Sequence, residues 1–451
     1  MKLSFFGAAG EVTGSNYILE TSRSRVAIDC GAFQGGKEQE LKNAAPFMYD
    51  AAAVDAVILT HAHLDHVGRL AKLVKAGFGG PIWSTPATKE LAELIMLDAA
   101  SIMSHEELKF GDTPLYQEQD VYQALRQFKT IDYETKTEIA DGVTVRLVDA
   151  GHILGSASVE LWADGQKIVF SGDIGNVGAP IIQDPTKVDE ADYLICESTY
   201  GGRTHEAKEA RLEVLRSVVA SSVEHRGVLL IPAFALERSQ ELLFDLNSLL
   251  TSDELKRLPI FLDSPLAAKT TEVFRRFPEY YDKEATDLTK AGVDFFHLPN
   301  LSFTESVEES KRIRTVAPPK IVIAGSGMMT GGRIKFHLRD YLAEPTTTLF
   351  IVGYQSEGTL GRRLLDGVKH VDLFGEPVAV NARIVACGAF SAHADHPQLM
   401  AWLKAVKSPV RELFLTHGDP TGSQALKTAV EAELKWDATR PRFGQFVTLG
   451  A

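Results

Sequence analysis

His61, His63, Asp65 and His66 fall within six consecutive positions of the stretch VILTHAHLDHVG, residues 57–68. Imidazole and carboxylate at this spacing are metal-ligand chemistry. The mixed nitrogen and oxygen set suits zinc better than calcium or magnesium, which prefer all-oxygen shells. The apolar run at residues 57–60 reads as a buried strand leading straight into the cluster. Leu70, Leu73 and Val74 then recur at helical spacing up to Gly77, so Asp65 is expected at a helix N-cap and the ligands in a strand-to-helix turn. Such a turn lets His61 and His63 reach one ion from the same side. Asp65 and His66, carried round by the chain reversal, reach a neighbouring one.

The elements around this turn repeat its design. Residues 143–149 read as a strand ending in DAGHILGS and residues 168–170 as another ending in FSGDIG. Each places a ligand-type residue, His152 or Asp173, just after a strand and beside glycines that let backbone pack closely. Together they supply a third ligand for the first ion and a carboxylate able to bridge two. Upstream, residues 2–6, 16–20 and 25–30 read as successive strands, the third closing on Asp29 in VAIDCG. Its position favours a carboxylate that orients a ligand histidine. An amphipathic helix is expected over residues 86–108, with His105 on its polar end, and a strand at residues 192–196 ends in CESTYGGRTH.

From residue 206 to about 375 the pattern changes to near-continuous apolar strands, each followed by a helix, as in a parallel α/β sheet. Ligands of such sheets bind beyond the strand C-termini. There this chain carries Arg238, Ser326, Arg333, Arg362 and Arg363 beside several glycines, a pattern that favours phosphate binding. Residues 379–386, FSAHAD and LFLTHGD follow, with His393 and His417 each after a strand-like run.

HAHLDH, DAGHILGS and FSGDIG with the upstream VAIDCG resemble the metallo-β-lactamase fold, and CEST, SAHAD and THGD around an inserted α/β domain resemble its β-CASP ribonuclease branch. The resemblance covers essentially the whole chain. It implies an αββα sandwich with an inserted parallel-sheet domain, divided as residues 1–204, 205–377 and 378–451. It also implies His61, His63 and His152 on one zinc, Asp65, His66 and His417 on the other, and Asp173 bridging them, with Asp65 counted among the catalytic residues as well. Glu197 and His393 would form a further pair, His393 being the non-ligand histidine that protonates the leaving group. The implied reaction is hydrolysis of single-stranded RNA to 5′-phosphate and 3′-hydroxyl products, endonucleolytic, with 5′-to-3′ exonuclease action as a second mode. Ending at Ala451, the chain looks most like the compact bacterial members related to the pre-mRNA 3′-end processing endonuclease. Two departures stand out. Glu237 sits where relatives commonly have glycine, and Asp419 follows HG where glutamate is frequent. An inactive RNA-binding subunit and a small-molecule metallo-hydrolase, a thioesterase or lactamase, are the rival readings.

Composition agrees with this frame. A chain of 451 residues with 45% hydrophobic and 24% charged residues has material for two or three packed domains. A net charge of −13 argues against indiscriminate nucleic-acid binding, so a polyanion must be met locally. Cys30, Cys196 and Cys387 each lie in or beside an apolar run and read as reduced core residues. No stretch is long and apolar enough for a membrane helix, and the N-terminus lacks an export pattern, so a cytoplasmic protein is expected. The pattern leaves a homo-oligomer open.

Overall fold

Alternation with period two sorts the side chains of the first part of the chain into two layers. The computed structural model describes residues 1–110, 113–249, 257–355 and 358–450. In strand Gln166–Phe170, Ile168 and Phe170 point into one core while Val169 points into another; Ile195 and Leu194, and Phe414 and Leu413, divide the same way. The first of these cores lies between two seven-stranded sheets. Leu3, Phe5, Leu19, Val26, Ile28 and Ile58 enter it from one sheet, and Val145, Leu147, Val159 and Leu161 from the other. The second core covers the outer face of the second sheet with Leu399, Trp402 and Leu403 of helix His396–Lys404 and Leu426 and Val430 of helix Pro420–Glu433. Across the chain the other sheet is accompanied by helices Leu70–Lys75 and Pro86–Phe110. This is the αββα sandwich.

Each sheet changes hand of pairing half-way. In the first, strands Lys2–Phe5, Tyr17–Glu20 and Arg25–Ile28 pair antiparallel, whereas Arg25–Ile28, Ala56–Ile58, Ile82–Ser84 and Phe128–Thr130 pair parallel. The second mirrors this: Val143–Asp149, Ala157–Ala163 and Gln166–Phe170 are antiparallel neighbours, and Gln166–Phe170, Tyr193–Glu197 and Glu412–Thr416 are parallel ones.

The chain forms two compact units, one of Met1–Val177, Gln183–Thr204 and His393–Ala451, the other of Gly178–Ile182 and His205–Ala392. The second unit is built on a six-stranded, wholly parallel sheet in the order Leu301–Phe303, Ile260–Asp263, Lys320–Ala324, Val228–Pro232, Thr348–Ile351, Arg383–Ala386. Its central strands are buried at every position, which is why they read as unbroken apolar runs. Strand Arg383–Ala386 pairs with Thr348–Ile351, and the first compact unit resumes at His393. An edge strand carries no mark of the sheet it will join, because only pairing decides that. Among the described residues no helix is long and apolar enough to cross a membrane.

Candidate metal centre

Strand direction brings the ligand residues together. Gln166–Phe170, Tyr193–Glu197 and Glu412–Thr416 run parallel side by side, so Asp173, Glu197 and His417 emerge at one sheet edge. Val143–Asp149, antiparallel to a strand that is itself antiparallel to Gln166–Phe170, points the same way and delivers His152 there. The HAHLDH turn follows strand Ala56–Ile58 of the facing sheet. Its helix, Leu64–Val67, starts two residues earlier than expected, with His63 as N-cap and Asp65 inside the first turn; no side chain caps it. Glycine lets these loops close up. A Cβ at Gly31 would stand 1.5 Å from the Asp65 carbonyl oxygen, and one at Gly175 would stand 1.6 Å from that of Gly151.

Two donor clusters result. In the first, His63 Nδ1 lies 3.1 Å from both His61 Nε2 and His152 Nε2, and Asp173 Oδ2 lies 3.4 and 3.5 Å from those two nitrogens. In the second, His66 Nε2 is 3.2 Å from His417 Nε2, His417 Nε2 is 3.3 Å from Asp65 Oδ2, and His66 Nε2 is 3.5 Å from Asp173 Oδ1. Tetrahedral donors at about 2.0–2.1 Å from an ion stand roughly 3.3–3.4 Å apart, so both sets fit one cation each. Charge supports the fit. Burial holds His61 well below its ordinary value and takes His63 down to about 4, so both are neutral at neutral pH. Neutral imidazoles offer ring-nitrogen lone pairs, and three converging with a carboxylate oxygen make a donor set for a cation. At the second set burial opposes protonation, yet Asp173 and Asp29 raise His66, and Asp173 and Asp65 raise His417. That spot demands positive charge. Asp173 Oδ1 is buried without a hydrogen-bond donor.

Partners behind the ligands set the ring orientations. His66 Nδ1 donates to Asp29 Oδ2 at 2.7 Å. Thr60 Oγ1 donates to the same carboxylate at 2.8 Å and lies 3.0 Å from His61 Nδ1, which can donate to it. Thr199 Oγ1 lies 3.2 Å from His417 Nδ1. With Nδ1 engaged, Nε2 of each ring is left to face the metal position. Asp29 and His417 both adopt left-handed backbone, φ 58° and 48°, as residues at functional turns often do. Sequence reasoning passed over Thr60 and Thr199; the only signal was a threonine adjoining a ligand in LTHAH and a second one in CESTYG, each unremarkable alone. Beside the ligands, His393 Nδ1 donates to Glu197 Oε1 at 3.1 Å, and that carboxylate also accepts from the Ile174 and Thr199 N–H groups. Burial works against protonating His393, but Glu197 raises it to about 9.

In the second unit, the expected phosphate contacts do not gather as one set. Arg238 is a correction: it is 5% exposed, and its guanidinium donates to Glu241 one turn along helix Arg238–Leu249, so it serves an internal anion. Arg333 is largely committed too, donating to Asp263 Oδ1 at 2.7 Å and to the Thr304 and Glu305 carbonyls. Ser326 Oγ holds its own loop through Gly331. Arg362 pairs with Asp366, at 3.0 Å, on a partly exposed helix face. Glu237 has φ 69°, a left-handed conformation that favours glycine.

Three family descriptions match the chain in succession: the metallo-beta-lactamase superfamily over residues 9–217, the Beta-Casp domain over residues 239–364, and a Zn-dependent metallo-hydrolase RNA specificity domain over residues 377–441. Ribonuclease TTHA0252 of Thermus thermophilus is 37% identical, over 93% of each chain. An RNase J-like protein of Methanocaldococcus jannaschii is 30% identical over 96% of each, and transcription termination factor FttA of Methanosarcina mazei is 32% identical over 96% of this chain and 69% of its own length. A crystal structure of a protein of unknown function from Enterococcus faecalis shares the fold at 12% identity, with TM-score 0.55 over 99% of both chains. With a sandwich interrupted by a parallel-sheet domain and a shared aspartate between two histidine clusters, the chain belongs to the metallo-β-lactamase superfamily and, within it, to the β-CASP ribonuclease family.

Proposed function

We propose that the chain is a zinc-dependent ribonuclease that cleaves single-stranded RNA to 5′-phosphate and 3′-hydroxyl products. The observation that carries this reading is the pair of donor clusters sharing Asp173, with His393 held on Glu197 beside them. His61, His63 and His152 would hold one ion, Asp65, His66 and His417 the other, and Asp173 both. Bound there, two zinc ions would supply Lewis acidity toward the phosphoryl oxygens and an activated water for attack on phosphorus. Two divalent cations against the carboxylates of Asp65 and Asp173 leave a positive site, matched to a phosphodiester anion. His393 carries the proton that the leaving 3′-oxygen needs, and Glu197 keeps it there. Its ring centroid lies 4.5 Å from that of the ligand His152, close to the metal position. Arg362 and Ser326 remain as phosphate contacts of the second unit. Arg362→Ala is expected to flatten the log–log salt dependence of RNA binding by about 0.7.

Incubation of the zinc-loaded protein with end-labelled RNA tests the reading, comparing 5′-phosphate, 5′-hydroxyl and circular strands. Hydrolysis with 5′-phosphate termini on the downstream fragments is expected. No hydrolysis of any of the three at full metal occupancy would overturn it in favour of an inactive RNA-binding subunit.

A further inference from the structure

Phe336 and Phe374 are 48% and 49% exposed, yet they stack on each other with ring centroids 4.6 Å apart and planes at 27°. Phe336 lies in the first turn of helix Ile334–Tyr341, and Phe374 lies at the tip of the hairpin joining strands His370–Leu373 and Glu376–Ala379. Leu373 pairs with Glu376, so the turn is the two residues Phe374 and Gly375, with φ 59° and 83°. Positive φ at both positions is what a type I′ turn requires, and the first normally goes to asparagine, aspartate or glycine. A phenylalanine there is costly to the backbone and leaves about half of the residue exposed. Local structure is therefore giving way to what the ring does at the surface.

Two cations lie over the pair. Lys335 Nζ is 5.2 Å from the Phe374 centroid, and the Arg339 guanidinium is 5.7 Å from both rings. Asp340 accepts from Nε and Nη2 of Arg339, which holds that guanidinium at the edge of the rings, and Asp372 accepts the Gly375 N–H. Half-exposed aromatic rings with Lys335 beside them are complementary to single-stranded RNA, whose bases offer π-faces and whose backbone offers phosphates. A protein partner would call for an apolar surround, and here the surround is Lys335, Arg339, Asp372 and Glu376.

We infer that Phe336 and Phe374 form a base-stacking platform on which single-stranded RNA rests, with Lys335 beside it to meet a phosphate. The inference rests on the ribonuclease reading for its ligand. The test measures the affinity of the full-length, zinc-loaded protein for a fluorescent, nuclease-resistant 2′-O-methyl phosphorothioate strand of roughly 20 nucleotides. Phe374→Gly and Phe336→Ala are each expected to weaken binding roughly 5- to 20-fold, while Phe374→Trp stays near wild type. Glycine suits φ 59°, so Phe374→Gly should melt no lower than wild type, and its loss of affinity is then not unfolding. An abasic strand of equal length should bind wild type and variants alike. Unchanged affinity in both Phe374→Gly and Phe336→Ala overturns the platform, and so does sedimentation showing that either variant dissociates a wild-type dimer, which would assign the face to a second copy. Hydrolysis of ordinary RNA by the wild type is scored separately. Its absence would defeat the ribonuclease reading, while the affinity comparison would still decide the platform.

Discussion

In the proposed reaction His393 is the proton donor and Glu197 the group that holds its proton. The carboxylate 3.1 Å from Nδ1 keeps the imidazolium protonated to about pH 9 against the cost of burial. His393→Ala is expected to retain both metal ions and lose on the order of 10² to 10⁴ in turnover. An RNA with sulfur at the 3′-bridging position, which leaves without a proton, should recover most of that loss; equal loss on both substrates would show that His393 is not the acid. Glu197→Gln removes the group that raises the pKa, so the protonated form disappears at lower pH and the alkaline limb of the kcat profile moves down. The motifs SAHAD and CEST pointed to these two residues only through family resemblance. Their pairing, 196 positions apart, is made by tertiary packing: Glu197 ends strand Tyr193–Glu197, and His393 bridges to Gly175, two residues past Asp173.

At the scale of elements, Asp263 ties the second unit together. It ends strand Ile260–Asp263 fully buried and accepts from Arg333, Thr304, Ser310 and His337, each at 2.7 Å. Burial alone would raise its pKa, but those hydrogen bonds, His337 first, take it down to about 2. A carboxylate depressed on folding adds stability that is fully present above its unfolded pKa of about 4 and is lost as pH falls through 2. Asp263→Asn should therefore cost about 2 kcal/mol at pH 7 by denaturant unfolding, with the difference from wild type shrinking between pH 4 and pH 2. A difference independent of pH would mean that shape rather than charge is lost. The strand itself was legible as an apolar run before DSPLA. What Arg333 would do was not, because a guanidinium at a strand end looks the same in sequence whether it awaits a phosphate or already holds an aspartate.

For the molecule as a whole, metal and fold should be one equilibrium. The ligands come from positions 61 to 417, so an unfolded chain holds no preformed site, and ions bound only by the native state stabilise it by about 4 kcal/mol at a thousandfold excess over Kd. Elemental analysis should find two zinc ions per chain, and chelation should lower the melting temperature reversibly. A content near one that added zinc does not change would remove the dinuclear assignment. HAHLDH was readable from the sequence because its ligands lie within one turn, and the strand ends before His152, Asp173 and His417 were readable because buried strands leave apolar runs. The convergence of His63 on His152 across 89 positions, and of His66 on His417 across 351, belongs to strand direction and sheet order alone. Tertiary packing likewise buried Arg238 against Glu241 and drew strand Arg383–Ala386 into the parallel sheet. Local spacing along the chain determines which residues can bind a metal, whereas pairing between distant segments decides which donors meet and which charges are already spent.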